Sequence, residues 1–149
     1  MTQETTMARP QNQFSNGAAD RMYQLWDEAL GRGNPREWLT LYAEDASLES
    51  PLVTYLTGKK EGMIRGHREL LPFLEKVAER KLPLRQRYRT GYLSDGRKLM
   101  WEYPRETPEG DQMDFLEVME LNDDGLIQRH RVYWGWRGFD VLERDEYHP

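Results

Sequence analysis

Three side chains in the second half of the chain have the chemistry of acid–base catalysis, namely Glu102, Glu117 and His130. A histidine exchanges protons near neutral pH, and a carboxyl group that loses hydration becomes easier to protonate. Glu117 lies two residues from Phe115 and two from Met119, and these three share one face of any strand because successive residues point to opposite faces. A glutamate between apolar neighbours therefore indicates either a catalytic site or a buried polar pair.

Both interpretations stay open from the residues alone. A buried glutamate paired with a histidine or an arginine often only satisfies a polar position in the core, and His130 could simply bond to a backbone carbonyl. The three candidates lie on separate predicted strands without the helical spacing of a metal site, so no metal is expected. His67 and His148 are expected to lie in solvent.

Helical and strand patterns predict the elements that must position these side chains. The predicted helices are 18–30, 34–43 and 66–77, with Asn34 and Pro35 opening the second and Pro72 kinking the third. The predicted strands are 46–52, 84–90, 97–106, 112–121 and 126–136, with a loop over 54–65. This order predicts an α+β domain with helices packed on one face of a curved antiparallel sheet.

Length and composition set the wider frame. The 149 residues fit one domain, predicted at 18–142, between a polar tail at 1–17 and a frayed tail at 143–149. The chain has no cysteine, which excludes disulfides and thiolate zinc sites and leaves a reducing cytoplasm as the default location. The N-terminus lacks the apolar run of a signal peptide or membrane span, and a net charge of -5 argues against nucleic acid as a partner.

Two motifs resemble signatures of a known superfamily. Residues 41–51, LYAEDASLESP, are similar to the helix-to-strand signature of NTF2-like proteins, and residues 118–127 followed by 130–134 are similar to their last hairpin. With the helix start at Gly66 between them, the resemblance covers about residues 18–142. The chain resembles the SnoaL-like branch of this superfamily. That resemblance implies a cone closed by helices, with one pocket between the concave sheet face and the first helix.

Relatives of this kind perform steroid isomerisation, polyketide ring closure, dehydration or epoxide opening, while others only bind a ligand or a protein partner. The resemblance places the base of a ketosteroid isomerase at Ser50, which has no carboxylate. It places the oxyanion-hole tyrosine of that enzyme at Trp26, whose indole only donates, and its protonated acid at Glu117. The last aspartate of a limonene epoxide hydrolase falls at Val132. Each of these two mechanisms, in its usual form, therefore lacks one of its catalytic residues in this chain.

The resemblance also sorts the strand residues between the two faces of the sheet. The implied pocket is walled by Trp26, Tyr88, Met100, Met113, Phe115, Met119, Val132 and Trp134, with Gln86 beside them and Glu102, Glu117 and His130 as its ionisable groups. Such a mixture suits an apolar ligand with a few oxygens.

The first hypothesis is an enzyme without organic cofactor that performs an isomerisation, dehydration or ring closure. His130 would be its base and Glu117 its acid or orienting partner, while Glu102 would position the substrate. The alternative is a non-catalytic ligand-binding or dimerisation module in which the same residues form a buried polar network.

The opposite face of the predicted sheet combines arginines with aromatic residues. Its members are Arg85, Arg87, Arg89, Arg129 and Arg131, with Trp101, Tyr103 and Tyr133, and Asp114 and Glu120 interleave with them. Arginine beside aromatic side chains is typical of a protein interface, so we expect a homodimer through this outer face, as the resemblance also suggests. The interleaved acids argue against RNA.

Overall fold

The computed structural model describes residues 17–80, 91–106 and 112–136. The helices are α1 (Gly17–Arg32), α2 (Pro35–Leu39), α3 (Pro51–Thr57) and α4 (Gly66–Glu79). The strands are β1 (Tyr42–Glu49), β2 (Met63–Arg65), β3 (Leu93–Ser94), β4 (Lys98–Glu106), β5 (Gln112–Leu121) and β6 (Ile127–Trp136). The α+β class is confirmed.

The strands form one sheet in the order β2-β1-β6-β5-β4-β3. Neighbouring strands are antiparallel except β1 and β6, which pair in parallel. The sheet is therefore mixed, whereas the pattern of successive hairpins predicted an antiparallel one. The parallel pair arises because the chain leaves β1 through α3 and α4 and returns only in its last strand, so no tight hairpin joins these two neighbours.

The second helix is shorter than predicted. Its start is confirmed, since the Asn34 side chain accepts a hydrogen bond from the Arg36 amide at 3.1 Å and Pro35 follows as the first helical residue. Its end is not, because residues 42 and 43 already belong to β1. The Ile127 amide donates to the Leu41 carbonyl at 2.9 Å, so pairing with β6 overrides the helical pattern here.

The predicted loop over 54–65 contains two further elements. The Ser50 hydroxyl accepts from the Leu52 amide at 3.2 Å and starts α3, whose first residue is Pro51. Gly58 ends this helix with a φ of 72°, a left-handed conformation that glycine adopts without a steric penalty. Strand β2 then pairs with β1. The sequence pattern had placed Pro51 within the strand predicted over 46–52.

The core lies between the helices and one face of the sheet. Helix α1 contributes Met22 and Trp26 to this core, and α4 contributes Leu70. The Trp38 indole of α2 donates to the Ala29 carbonyl at 2.6 Å and fixes α2 against α1. We call the sheet face that these helices cover the inner face and the opposite one the outer face.

Several sequence predictions fall outside the described residues. They are the strand at 84–90 with Gln86 and Tyr88, and the two proposed tails apart from residue 17. None of the described helices combines the length and apolarity that a membrane crossing requires.

Candidate functional site

Glu117 lies at the middle of β5 on the inner face and is 3 % exposed. The strand register places it between Trp101 of β4 and Val132 of β6. The Tyr103 hydroxyl donates to Glu117 Oε1 at 3.0 Å, and the Tyr103 ring stacks on Phe115 with centroids 5.3 Å apart. A phenol therefore holds this carboxyl group inside an apolar and aromatic core.

His130 forms a second buried pair with Tyr42. The Tyr42 hydroxyl oxygen and His130 Nδ1 are 2.7 Å apart, and His130 is 3 % exposed. Burial, and after it the charge of Glu117, raises the pKa of the Tyr42 hydroxyl well above its ordinary value. Tyr42 therefore keeps its proton at neutral pH. A protonated hydroxyl can donate to a neutral imidazole or accept from an imidazolium, so Tyr42 can orient His130 in either charge state.

The two pairs lie side by side on the inner face. His130 directly opposes Met119 across β5 and β6, and Glu117 is two residues further along β5. Glu117 and His130 are therefore diagonal cross-strand neighbours, a relation that places side chains about 7–8 Å apart. The effect of Glu117 on the Tyr42 pKa shows that the pairs are also electrostatically coupled.

Two indole groups add hydrogen-bond donors to this core. The Trp26 ring of α1 lies edge-to-face against His130, with centroids 5.2 Å apart and an interplanar angle of 88°. Trp26 Nε1 and Trp101 Nε1 are both buried, and no acceptor within the described part of the chain takes a hydrogen bond from either. Since a buried donor without an acceptor is costly, a ligand oxygen would be stabilised here.

The predicted inner placement is confirmed for most of the named residues and wrong for two. Trp26, Phe115, Glu117, Met119 and His130 lie in the core, and Val132 packs against its edge. Trp134, 38 % exposed, contacts Phe115 edge-to-face at 5.2 Å. Tyr88 and the Met113 side chain are outside the described residues.

Met100 and Glu102 do not face the core. Because Trp101 pairs with Glu117, the inner residues of β4 are Leu99, Trp101 and Tyr103, and Glu102 is exposed on the outer face. A shift of one residue transfers every side chain of a strand to the other face. The predicted inner placement of Glu102 is therefore wrong, and its role toward a substrate stays a prediction. The apolar alternation of Leu99, Trp101 and Tyr103 was the signal that could have revealed it.

Sequence reasoning also missed both tyrosines of the site. Tyr42 was assigned to the end of a helix, and Tyr103 was assigned to the outer face. His67, expected in solvent, lies with Nε2 2.9 Å from the Tyr42 carbonyl oxygen, so it helps to hold the segment that carries Tyr42. Ser50, the position that the family resemblance connects with a base, is buried and caps α3 through its hydroxyl.

The outer face carries charge where the inner face carries aromatic rings. Glu120 lies 3.2 Å from Lys98 Nζ and 3.3 Å from Arg129 Nε. Trp101 and Tyr103, which the sequence placed here, point inward instead. The homodimer expected through this face stays a prediction. The described residues hold no cluster of three or more histidine, aspartate or glutamate side chains that could bind a metal ion.

Comparison with known protein families gives a match over most of the chain. The sequence model of the family described as the SnoaL-like domain matches residues 20–130. No curated protein matches the chain in sequence.

Solved structures agree on the fold at low sequence identity. A SnoaL-like protein of unknown function from Burkholderia thailandensis superposes with a TM-score of 0.63 at 17 % identity, covering 82 % of this chain and 98 % of the other. A steroid delta-isomerase from Pseudomonas aeruginosa gives 0.58 at 18 % identity, covering 89 % and 90 %.

A third structure is an epoxide hydrolase/cyclase-like enzyme with a role in pyran ring formation in the polyether salinomycin. It gives a TM-score of 0.57 at 16 % identity, covering 78 % of this chain and 92 % of the other. At these identities the three likenesses establish a shared fold, the NTF2-like α+β cone, and leave the chemistry to the residues of each chain.

Proposed function

The chain belongs to the SnoaL-like domain family, and from this premise we propose that it binds an apolar molecule with oxygen substituents and catalyses a proton transfer on it. The observation that carries the proposal is the placement of two hydrogen-bonded pairs, Tyr42 with His130 and Tyr103 with Glu117, inside an otherwise apolar core. Ionisable groups held in dry surroundings are the usual means of general acid–base catalysis.

His130 is the proposed base. It takes a proton from a carbon beside a carbonyl group or from a hydroxyl group of the ligand. In the first case the released electron pair moves onto the carbonyl oxygen, which becomes an enolate. In the second case the alkoxide oxygen attacks an epoxide carbon of the same molecule and closes a ring, while the bond from that carbon to the epoxide oxygen breaks and this oxygen keeps the electron pair until it is protonated. As a base His130 acts through Nε2, so its Nδ1–H donates to the Tyr42 oxygen in both charge states, and Tyr42 is a positioning residue.

Trp26 is the proposed donor to the oxygen on which negative charge develops. Its indole N–H is buried beside His130 and lacks an acceptor within the described residues. Such a donor stabilises an enolate or an opened epoxide oxygen more strongly than it stabilises the neutral ground state. The reaction also needs a proton transfer at a second position of the ligand. The carboxyl group of Glu117, held by Tyr103, gives or takes this proton. The isomerisation shifts a proton and a double bond, and the ring closure exchanges one C–O bond for another, so the reaction as proposed needs no oxidant, reductant or organic cofactor.

The names of two structural neighbours support this reaction class. One is a steroid delta-isomerase and the other an epoxide hydrolase/cyclase-like enzyme, and both names describe chemistry on apolar, oxygen-bearing molecules. In this chain Ser50 stands where the family resemblance expects the base of a ketosteroid isomerase, and Val132 stands where it expects the last aspartate of a limonene epoxide hydrolase. We therefore assign the base to His130.

The test is an NMR titration of His130 combined with a turnover assay. The probes are a β,γ-unsaturated steroid ketone for isomerisation and a hydroxy-epoxide for ring closure. We expect the His130 midpoint to move when a probe binds and in Glu117→Gln, and turnover to fall about 100-fold in His130→Gln. Glu120→Gln is the matched control, because this glutamate lies on the same strand but on the outer face, and it should leave both measurements unchanged.

Two results would contradict the proposal. One is a His130 midpoint that changes neither when a probe binds nor in Glu117→Gln. The other is binding of either probe without conversion, which would favour the alternative of a non-catalytic ligand-binding module.

A further inference from the structure

A cleft of about 340 Å³ lies at the edge of β6. It exists because β1 pairs with β6 only as far as Glu49 and Arg131, after which the chain turns at Ser50 into α3. From Val132 onward β6 therefore continues without β1 beside it. The described lining of the cleft contains none of the four side chains of the Tyr–His and Tyr–Glu pairs.

Arg131 is the cation of this cleft. Its Nε is buried and has no hydrogen-bond partner in the part of the chain that the structure describes. Arg129, two residues earlier on the same face, instead places its Nε 3.3 Å from Glu120. A guanidinium N–H that is withdrawn from water and lacks an acceptor favours an anionic ligand, and a carboxylate has the matching planar shape.

The rest of the cleft offers apolar surface. Tyr133 is 52 % exposed and Trp134 is 38 % exposed, which is unusual for large aromatic side chains, and Pro51 and Val132 lie beside them. Aromatic rings around an arginine are the composition that dominates binding energy at recognition sites. The volume is at the small end of the range for ligand sites, about 300–1,000 Å³.

We infer that this cleft binds a small carboxylic acid with an aromatic or apolar body. The carboxylate contacts Arg131, and the body lies against Tyr133, which is on the same face of β6. Glu49 lines the same cleft and is exposed. Its charge repels an anion, so it limits the affinity. None of the four side chains of the Tyr–His and Tyr–Glu pairs lines this site, so the inference does not depend on catalysis in the core.

Calorimetric titration with 2-naphthoate, and with 2-naphthylmethanol as its neutral counterpart, tests the inference. We expect the acid to bind at least about tenfold more tightly than the alcohol, the difference of one charge-assisted hydrogen bond. Arg131→Gln should remove that difference. Arg129→Gln should leave the dissociation constant within about twofold, because its side chain lies outside the cleft and is paired with Glu120. Glu49→Gln should tighten binding of the acid a few-fold.

Two outcomes would overturn the inference. The first is equal binding of the acid and the alcohol, or of wild type and Arg131→Gln. The second is naphthoate binding that is lost in Trp26→Phe while Arg131→Gln has no effect, because the ligand would then occupy the inner core. Neither outcome decides whether the steroid ketone or the hydroxy-epoxide moves the His130 midpoint, so this inference and the proposed catalysis fail separately.

Discussion

Glu117 and Glu120 lie three residues apart on β5 and on opposite faces of one sheet. Glu117 is buried and accepts a hydrogen bond from Tyr103. Glu120 lies between Lys98 and Arg129 with its side chain 27 % exposed. Water and salt screen the outer contacts, whereas the inner pair lies in surroundings of low polarity, where each electrostatic contact is stronger.

The surroundings of Glu117 and Glu120 differ in a way that favours acid–base chemistry on the inner face of this sheet. On the outer face, charges come in opposite-sign neighbours that solvent can replace. On the inner face, an ionisable group displaces apolar packing, and Tyr42 and Tyr103 hold the two groups of this kind, His130 and Glu117. Polar groups kept at such a cost are the ones whose properties depend most on their neighbours.

We expect the largest difference in stability between alanine variants of two adjacent residues of β4. Leu99 is fully buried on the inner face, and Met100 is half-buried on the outer face. Leu99→Ala should lower the free energy of unfolding by about 2–5 kcal/mol, because it removes buried apolar contacts and leaves a cavity. Met100→Ala should cost less than about 1 kcal/mol. Urea denaturation of both variants measures this, and equal losses would break the assignment of the two faces.

The next effect compares the hydrogen-bond donors of the two glutamates. Tyr103→Phe removes the hydroxyl that donates to Glu117 and should cost about 1–3 kcal/mol, the usual range for a buried bond to a charged acceptor. Lys98→Met removes one partner of Glu120 and should cost at most about 1 kcal/mol. If denaturation gave the lysine variant the larger loss, the low polarity of the inner face would be refuted.

Sequence patterns predicted most of this fold and half of its site. Helices α1 and α4 and strands β4 to β6 have strong periodicity, and Glu117 and His130 were identified because both strands alternate clearly. Strand β4 was assigned to the wrong face, since its register was taken from the family resemblance while its own residues, Leu99, Trp101 and Tyr103, favour the other one. Alternation within a strand is a local signal, but the pairing of strands is a tertiary one.

Tyr42 and α3 were missed for a different reason. Residues 42 and 43 continue the helical spacing of the segment before them, and only pairing with β6, which lies some 85 residues later, makes them part of β1. Helix α3 is a short helix whose signal was the cap at Ser50 followed by Pro51. That signal is visible in the sequence. The pairing that places Tyr42 beside His130 is not, because it depends on contacts between distant segments.

The stability of the fold should depend on pH through Tyr42, on the inner face. Burial and the charge of Glu117 raise the pKa of Tyr42, while an unfolded chain releases this proton near the ordinary value of 10.0. Above that pH the folded state binds more protons than the unfolded state, so the free energy of unfolding falls as the pH rises. The contribution of Tyr42 to stability is complete below pH 10.0. Above that pH the free energy of unfolding falls by up to about 1.4 kcal/mol for each pH unit.

Tyr42→Phe isolates this contribution. Between about pH 8 and about pH 11, the variant should lose less stability than the wild type in urea denaturation. The loss of the hydrogen bond to His130 lowers the stability of the variant at every pH, so only the difference in slope is diagnostic. Equal slopes would mean that Tyr42 meets the same surroundings in the folded and unfolded chains.

The smallest effect belongs to the outer face. Glu120→Gln removes the charge that Lys98 and Arg129 share, and we expect a loss of less than about 1 kcal/mol in dilute buffer. Near 1 M NaCl the wild type and the variant should differ little, because the screening length falls to about 3 Å. A loss that persists in high salt would show that these contacts are shielded from solvent. Sedimentation of the same samples would then show whether a second copy of the chain provides that shielding.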